Sequence, residues 1–171
     1  MNINWKLLHT LFFLMILTGL LAQDPPDMPS RSIVVNSTQN LSFGVLTILS
    51  GSTGGTVTVD YNGMRTASGS VVLLNSSPQA QQGIYEVKIC PGRLVNISYP
   101  NSVVLTGNNG GSLTMNLGPT DKGPSGSSFI SNKGCNDVHY VNVGGVLTVG
   151  SMAANPPGDY SGTFEITFIQ Q

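Results

Sequence analysis

Apolar residues recur at every second position along most of this chain, and that pattern excludes most folds. In "GGTVTVDYNGMRTASG", Val57, Val59 and Tyr61 share one face while Thr56, Thr58 and Asp60 share the other. A period of two is the spacing of a half-buried strand, because successive side chains on a pleated strand point to opposite faces. Asn62-Gly63 follows with the strongest short hairpin signal, which predicts a two-residue type I′ turn with positive φ at both positions. "VVLTGNNGGSLTMNLG" repeats the plan, with Leu113, Met115 and Leu117 alternating after a turn over residues 108–111. "DVHYVNVGGVLTVG" predicts another turn at Gly144-Gly145, and "GIYEVKIC" and "RLVNISY" add short strands flanked by Gly or Pro. Beyond the N-terminal region no stretch sustains the 3.6-residue apolar period of an amphipathic helix. About eight to ten strands at uneven spacing predict an all-β fold, a single Ig-like or pilin-like antiparallel β-sandwich rather than an up-and-down barrel.

Residues 1–22 carry one lysine, Lys6, and an apolar run from Leu7 to Leu21, which is the layout of a signal peptide. The run is short for a bilayer span and lacks a basic stop flank, so no membrane span is expected in the mature chain. Residues 23–31, "QDPPDMPSR", read as an extended Pro-rich leader and residues 32–171 as one sandwich domain. The expected location is secreted, extracellular or cell-surface, reached through the periplasm. Charged residues make up only 9% of the chain, and no basic stripe offers a nucleic-acid surface. In that compartment Cys90 and Cys135, the two cysteines, are expected to form a disulfide. Closing that loop stabilises by about 4 kcal/mol in the chain-entropy model.

Groups that do chemistry are sparse. The mature chain holds one histidine, His139, which shares a strand face with Asp137, Val141 and Val143. A Ser/His/Asp hydrolase can be drawn from these, but no nucleophile-elbow motif accompanies them, and His139 reads as a strand-surface or edge residue. Asp60, Glu86, Asp121, Asp137, Asp159 and Glu165 are scattered singly, zinc has no ligand cluster and calcium has no Asp-rich loop. No catalytic residue, metal or cofactor is expected. Tyr61, Tyr85, Tyr99, Tyr140 and Tyr160 are the aromatic candidates for stacking on a sugar, though most occupy apolar-alternating positions.

Two segments stand apart. Residues 118–137 carry no strand signal except Phe129 and Ile130, and a loop of that length in a compact domain is a candidate binding loop. At the end of the chain, "GDYSGTFEITFIQQ" alternates with Tyr160, Phe164, Ile166 and Phe168 on one face, which makes it a candidate assembly strand. Either residues 32–43 fold back beside this terminal strand and complete the sandwich, or the segment around residues 33–35 is donated to another subunit. The partners to expect are therefore identical or related surface subunits, or host or environmental glycans.

"NLSFG", "GGTVTVDYNGMRTASGSVVLL", "YEVKICPGRLVNISYP", "VNVGGVLTV" and "GDYSGTFEITF", in that order, resemble the bacterial domain-of-unknown-function family 4402. The resemblance implies a secreted Gly-rich β-sandwich on or outside a bacterial cell, with no catalytic residues to carry over. The ending also resembles chaperone-usher pilins, which finish on an alternating strand with glycine fourteenth from the end and tyrosine next to last. Gly158 occupies the first of these positions, but Gln170 stands at the second. The leader does not alternate apolar residues as a donated strand must, since its prolines remove donors and Met28 is its one large apolar side chain.

Overall fold

A computed structural model describes residues 33–171; the expected signal peptide and Pro-rich leader lie outside the described residues. The strands are, in chain order, β1 (Val34–Gln39), β2 (Ser42–Phe43), β3 (Leu46–Ile48), β4 (Gly55–Val59), β5 (Arg65–Gly69), β6 (Val71–Leu73), β7 (Ala80–Gln81), β8 (Gly83–Lys88), β9 (Leu94–Ser98), β10 (Ser102–Gly107), β11 (Ser112–Thr120), β12 (Ser128–Ile130), β13 (Val138–Val149), β14 (Tyr160–Ser161) and β15 (Thr167–Gln170). No helix occurs among the described residues, and every strand pairing is antiparallel.

Eight strands form one large sheet in the order β1-β8-β13-β11-β10-β14, with β4 also joined to β13 and β5 to β4. Facing it are the three-stranded sheet β12-β9-β15 and the two-stranded ribbons β2-β7 and β3-β6. The alternation of the sequence determines what lies between the layers. Val57, Val59, Leu113, Met115 and Leu147 point inward from the large sheet and meet Phe43, Ile48 and Val71 from the ribbons. Val87 and Val141 meet Val95 and Ile97 of the small sheet in a second cluster. Leu117 packs against both clusters and joins them. Each fully buried Val or Ile contributes about 1.5–3 kcal/mol of transfer free energy, and this burial holds the layers together. The molecule is an all-β antiparallel sandwich.

β13 organises the large sheet. Its first half pairs with β8, from Val138 opposite Lys88 to Val143 opposite Gly83. Along the same edge its second half pairs with β4, from Gly145 opposite Val59 to Val149 opposite Gly55, while β11 takes the other edge. The turn expected at Gly144-Gly145 is absent because β13 runs straight through both residues. Close approach explains the glycines: a Cβ on Gly144 would lie 2.2 Å from the Val59 carbonyl oxygen and 2.7 Å from the Asp60 carbonyl carbon. Here the end of β4 and the start of β8 meet on one edge of β13, leaving no room for a side chain.

The β4-β5 hairpin turns where expected, but not as a type I′ turn. Gly63 alone has positive φ, at 81°, and no non-Gly residue does. Asp60 N–H donates to the Met64 carbonyl at 3.0 Å, leaving a three-residue loop with glycine last, and Asp60 Oδ1 accepts from the N–H groups of Asn62 and Met64. An acidic side chain that caps its own turn favours this form over the two-residue one. Residues 118–137 are more ordered than their composition predicts, since β11 continues to Thr120 and β12 pairs with β9. Of the segment 32–43, the described residues 33–43 do not lie beside the terminal strand: β1 pairs with β8, and β2 with β7.

Candidate functional site

The terminal strand pairs within its own molecule. Tyr160 and Ser161 lie opposite Gly107 and Thr106 of β10, at the edge of the large sheet. Phe168 lies opposite Ile97 of β9, in the small sheet. Between these pairings residues 162–166 cross from one sheet to the other, with no backbone partner among the described residues. Gly162 begins the crossing, where a Cβ would come within 2.8 Å of the Val104 carbonyl oxygen and of Leu105 Cδ2. β9 and β10 turn the same corner in the opposite direction. Where the two segments separate, an open groove of about 660 Å³ lies between Ser98, Tyr99 and Pro100 on one side and Thr163, Phe164 and Glu165 on the other.

All four residues of the candidate assembly strand point inward. Tyr160 and Phe164 pack against the first core cluster, Ile166 and Phe168 against the second. Tyr85 meets Phe168 with ring centroids 6.0 Å apart, and Tyr160 Oη donates to the Pro156 carbonyl at 2.7 Å. The tail therefore joins both cores and both sheets.

Cys90 and Cys135 are joined in a disulfide. It fastens the segment before β13 to the turn after β8, beside a ladder in which Ser131 N–H donates to the Arg93 carbonyl at 2.9 Å and Gly92 N–H to the Ser131 carbonyl at 2.8 Å. The candidate loop residues divide here. Phe129 faces the core, 5.4 Å from the His139 ring, whereas Ile130 is 65% exposed.

His139 is not a surface residue: only 6% of it is exposed, because its strand face also carries Val141 and Val143, which are fully buried. Its Nε2 lies 2.9 Å from Ser131 Oγ, which itself donates to the Ile89 carbonyl at 3.1 Å. When the hydroxyl proton is given to the Ile89 carbonyl, Nε2 donates to Ser131, the reverse of the direction in which a histidine activates a nucleophilic serine. Ser131 is 1% exposed. Burial first, then the charges of Lys133 and Lys122, lower the imidazole pKa below its usual value, against a smaller opposing effect of Asp137. Asp137 is occupied elsewhere, accepting from Gly134 N–H at 3.1 Å. The pair is a buried polar link holding the disulfide segment in place. Among the described residues no group of three metal-ligating side chains occurs.

A further surface feature is the outer face of the large sheet, where the registers align mostly polar side chains across five strands. One row is Ser68, Thr56, Thr148, Thr114 and Val104, each opposite the next in β5, β4, β13, β11 and β10. The adjacent row is Thr66, Thr58, Val146, Asn116 and Ser102. All ten are exposed or half-buried, and none carries a charge. Thr56 Oγ1 and Ser68 Oγ are 2.7 Å apart, as neighbours on one face must be. Arg65, at the start of β5, turns its guanidinium inward to the carbonyls of Val45 and Leu74. On the same face of β13, Tyr140 is 51% exposed. Sequence reasoning did not find this surface, although the Thr-x-Thr spacing of Thr56 and Thr58 signalled one position in each of its two rows.

Among the described residues no helix is long and apolar enough to cross a membrane. No curated protein and no solved structure matches the chain. A family model described as Domain of unknown function (DUF4402) matches residues 33–169, nearly all of the described sandwich, and the chain belongs to that family.

Proposed function

We propose that this protein is a secreted or cell-surface bacterial β-sandwich of structural and adhesive role, working through non-covalent surface contact rather than chemistry. The observation that carries this reading is the uncharged outer face spanning β5, β4, β13, β11 and β10, a broad hydroxyl-lined surface. Disulfides persist in oxidising compartments, so the bond between Cys90 and Cys135 agrees with a place outside the cytoplasm. The burial of Ser131 and His139, with Ser131 Oγ also within hydrogen-bond distance of the Ile89 carbonyl, supports a structural reading of the pair.

The rival reading is a pilus-like subunit that polymerises by strand complementation, and the backbone of residues 162–166, which has no backbone partner among the described residues, favours it. Against it stand the pairing of the tail with β10 and β9 of the same molecule and a leader with only Met28 as a large apolar residue. The test of the proposed role is labelling of intact native cells with a membrane-impermeant amine or carboxylate reagent, followed by fractionation. The protein is expected in the labelled envelope or in the culture medium. Recovery of unlabelled protein in the cytoplasm alone would overturn the reading.

A further inference from the structure

We propose that the outer face of the large sheet is a docking surface for a neutral, hydroxyl-rich polysaccharide chain. This deepens the adhesive reading and rests on it. Charge sets the class of ligand. The ten aligned positions are neutral, and the one cation that begins these strands, Arg65, is turned inward. The flanking turns and the tail add carboxylates: Asp60 after β4, Asp159 before β14 and Glu165 in the sheet crossing. At the Tyr140 end, β8 adds Glu86 opposite Tyr140 and Lys88 opposite Val138, so a uronate or sulfate polymer would meet four carboxylates against one lysine, whereas a neutral glycan pays no such penalty.

The chemistry of the face fits sugars. Threonine and serine hydroxyls donate and accept, as do sugar hydroxyls, and Asn116 adds an amide that does both. Threonine methyls and Val104 and Val146 supply apolar contact for the C–H faces of pyranose rings. Tyr140 lies on the same strand face as Val146 and Thr148 and offers an exposed ring for stacking. From Tyr140 to Thr148 is eight residues along one strand, about 27 Å, a track for several sugar units. Outward positions repeat at about 4.8 Å across strands and about 6.8 Å along them, which suits a repeating polymer. Small molecules favour concave pockets, whereas outward side chains in register on a sheet face an extended chain along their rows.

Area argues against a second copy as the occupant. The two rows cover on the order of 400 Å² of outer surface. A stable protein–protein contact needs about 800 Å² from each partner and a more apolar centre.

The experiment uses the purified mature protein with its disulfide intact. It is run in native gels containing soluble xylan, mannan, mixed-linkage β-glucan, laminarin or starch, and pulled down on cellulose and chitin. Alginate and heparin serve as anionic comparisons. Retention by at least one neutral glycan is expected, weakened at least tenfold in Thr114→Lys/Thr148→Lys and in Tyr140→Ala, and unchanged in Leu49→Lys/Met152→Lys, which alters exposed sites elsewhere. Circular dichroism and thermal melting identify any variant that fails to fold, and Tyr140→Ala tests the face without introducing a charge. Three outcomes would overturn the proposal: no neutral glycan retained, stronger retention by alginate or heparin, or retention that folded face variants leave intact. A sedimentation dimer that Thr114→Lys/Thr148→Lys dissolves would also overturn it, by assigning the face to a second copy. Because these assays use isolated protein, their failure is separate from a failure of the cell-surface assignment.

Discussion

Truncation after Gly162 is expected to leave a chain that does not fold as a monomer. The missing residues include Phe164, which packs against the first core cluster, and Ile166 and Phe168, which pack against the second. They also include β15, whose register with β9 runs from Thr167 opposite Ser98 to Gln170 opposite Val95. A large apolar side chain cut to alanine in a core costs about 2–5 kcal/mol, against a total stability of about 5–15 kcal/mol for a typical domain. Losing three such side chains and an edge strand together exceeds what a domain of this size holds in reserve. Phe168→Ala alone, at a half-buried site, is expected to cost about 3 kcal/mol in urea unfolding. A tail serving only to assemble subunits would behave differently: the truncated protein would remain a folded monomer with unchanged circular dichroism.

The second large effect belongs to the disulfide. Cys90 and Cys135 are 45 residues apart, and opening a loop of that length costs about 4 kcal/mol in the chain-entropy model. Cys90→Ser/Cys135→Ser, or reduction of the native protein, is expected to lower Tm by on the order of 10 °C for a domain of this size. The ladder of Ser131 with Gly92 and Arg93 remains in the variant, so the loss should be one of stability rather than of fold. A shift of less than about 1 °C would mean that the ladder and the Ser131–His139 link hold the segment unaided.

The hairpins over residues 55–69 and 102–120 were readable because each has its apolar alternation and its glycine turn within a short window. The disulfide was readable because two cysteines allow one pairing and the signal-peptide-like N-terminus led to the expectation of an oxidising compartment. Gly144-Gly145 was misread because a glycine pair in a sequence looks the same whether it supplies positive φ or makes room for a neighbour. The Val59 and Asp60 backbone atoms that crowd Gly144 come from a strand more than eighty residues earlier. His139 was placed on the correct strand face, and Val141 and Val143 on that face were a signal of burial that the polarity of the imidazole obscured.

The candidate face shows the limit most clearly. Thr56, Thr114 and Thr148 become neighbours only because β13 inserts between β4 and β11, a non-local pairing that no local pattern encodes. The terminal segment has one unbroken alternation, yet its pairing changes sheets at Gly162 because the β10 backbone lies against that glycine.

This chain closes its own sandwich and uses its tail as a structural stitch between both sheets. The most direct test is to shear the surface fraction from native cells, run it unboiled and boiled on a denaturing gel, and probe for this chain. A single monomer band in both lanes is expected. A ladder in the unboiled lane that collapses to monomer on boiling would contradict the account, because it would show neighbouring subunits completing one another's sandwiches.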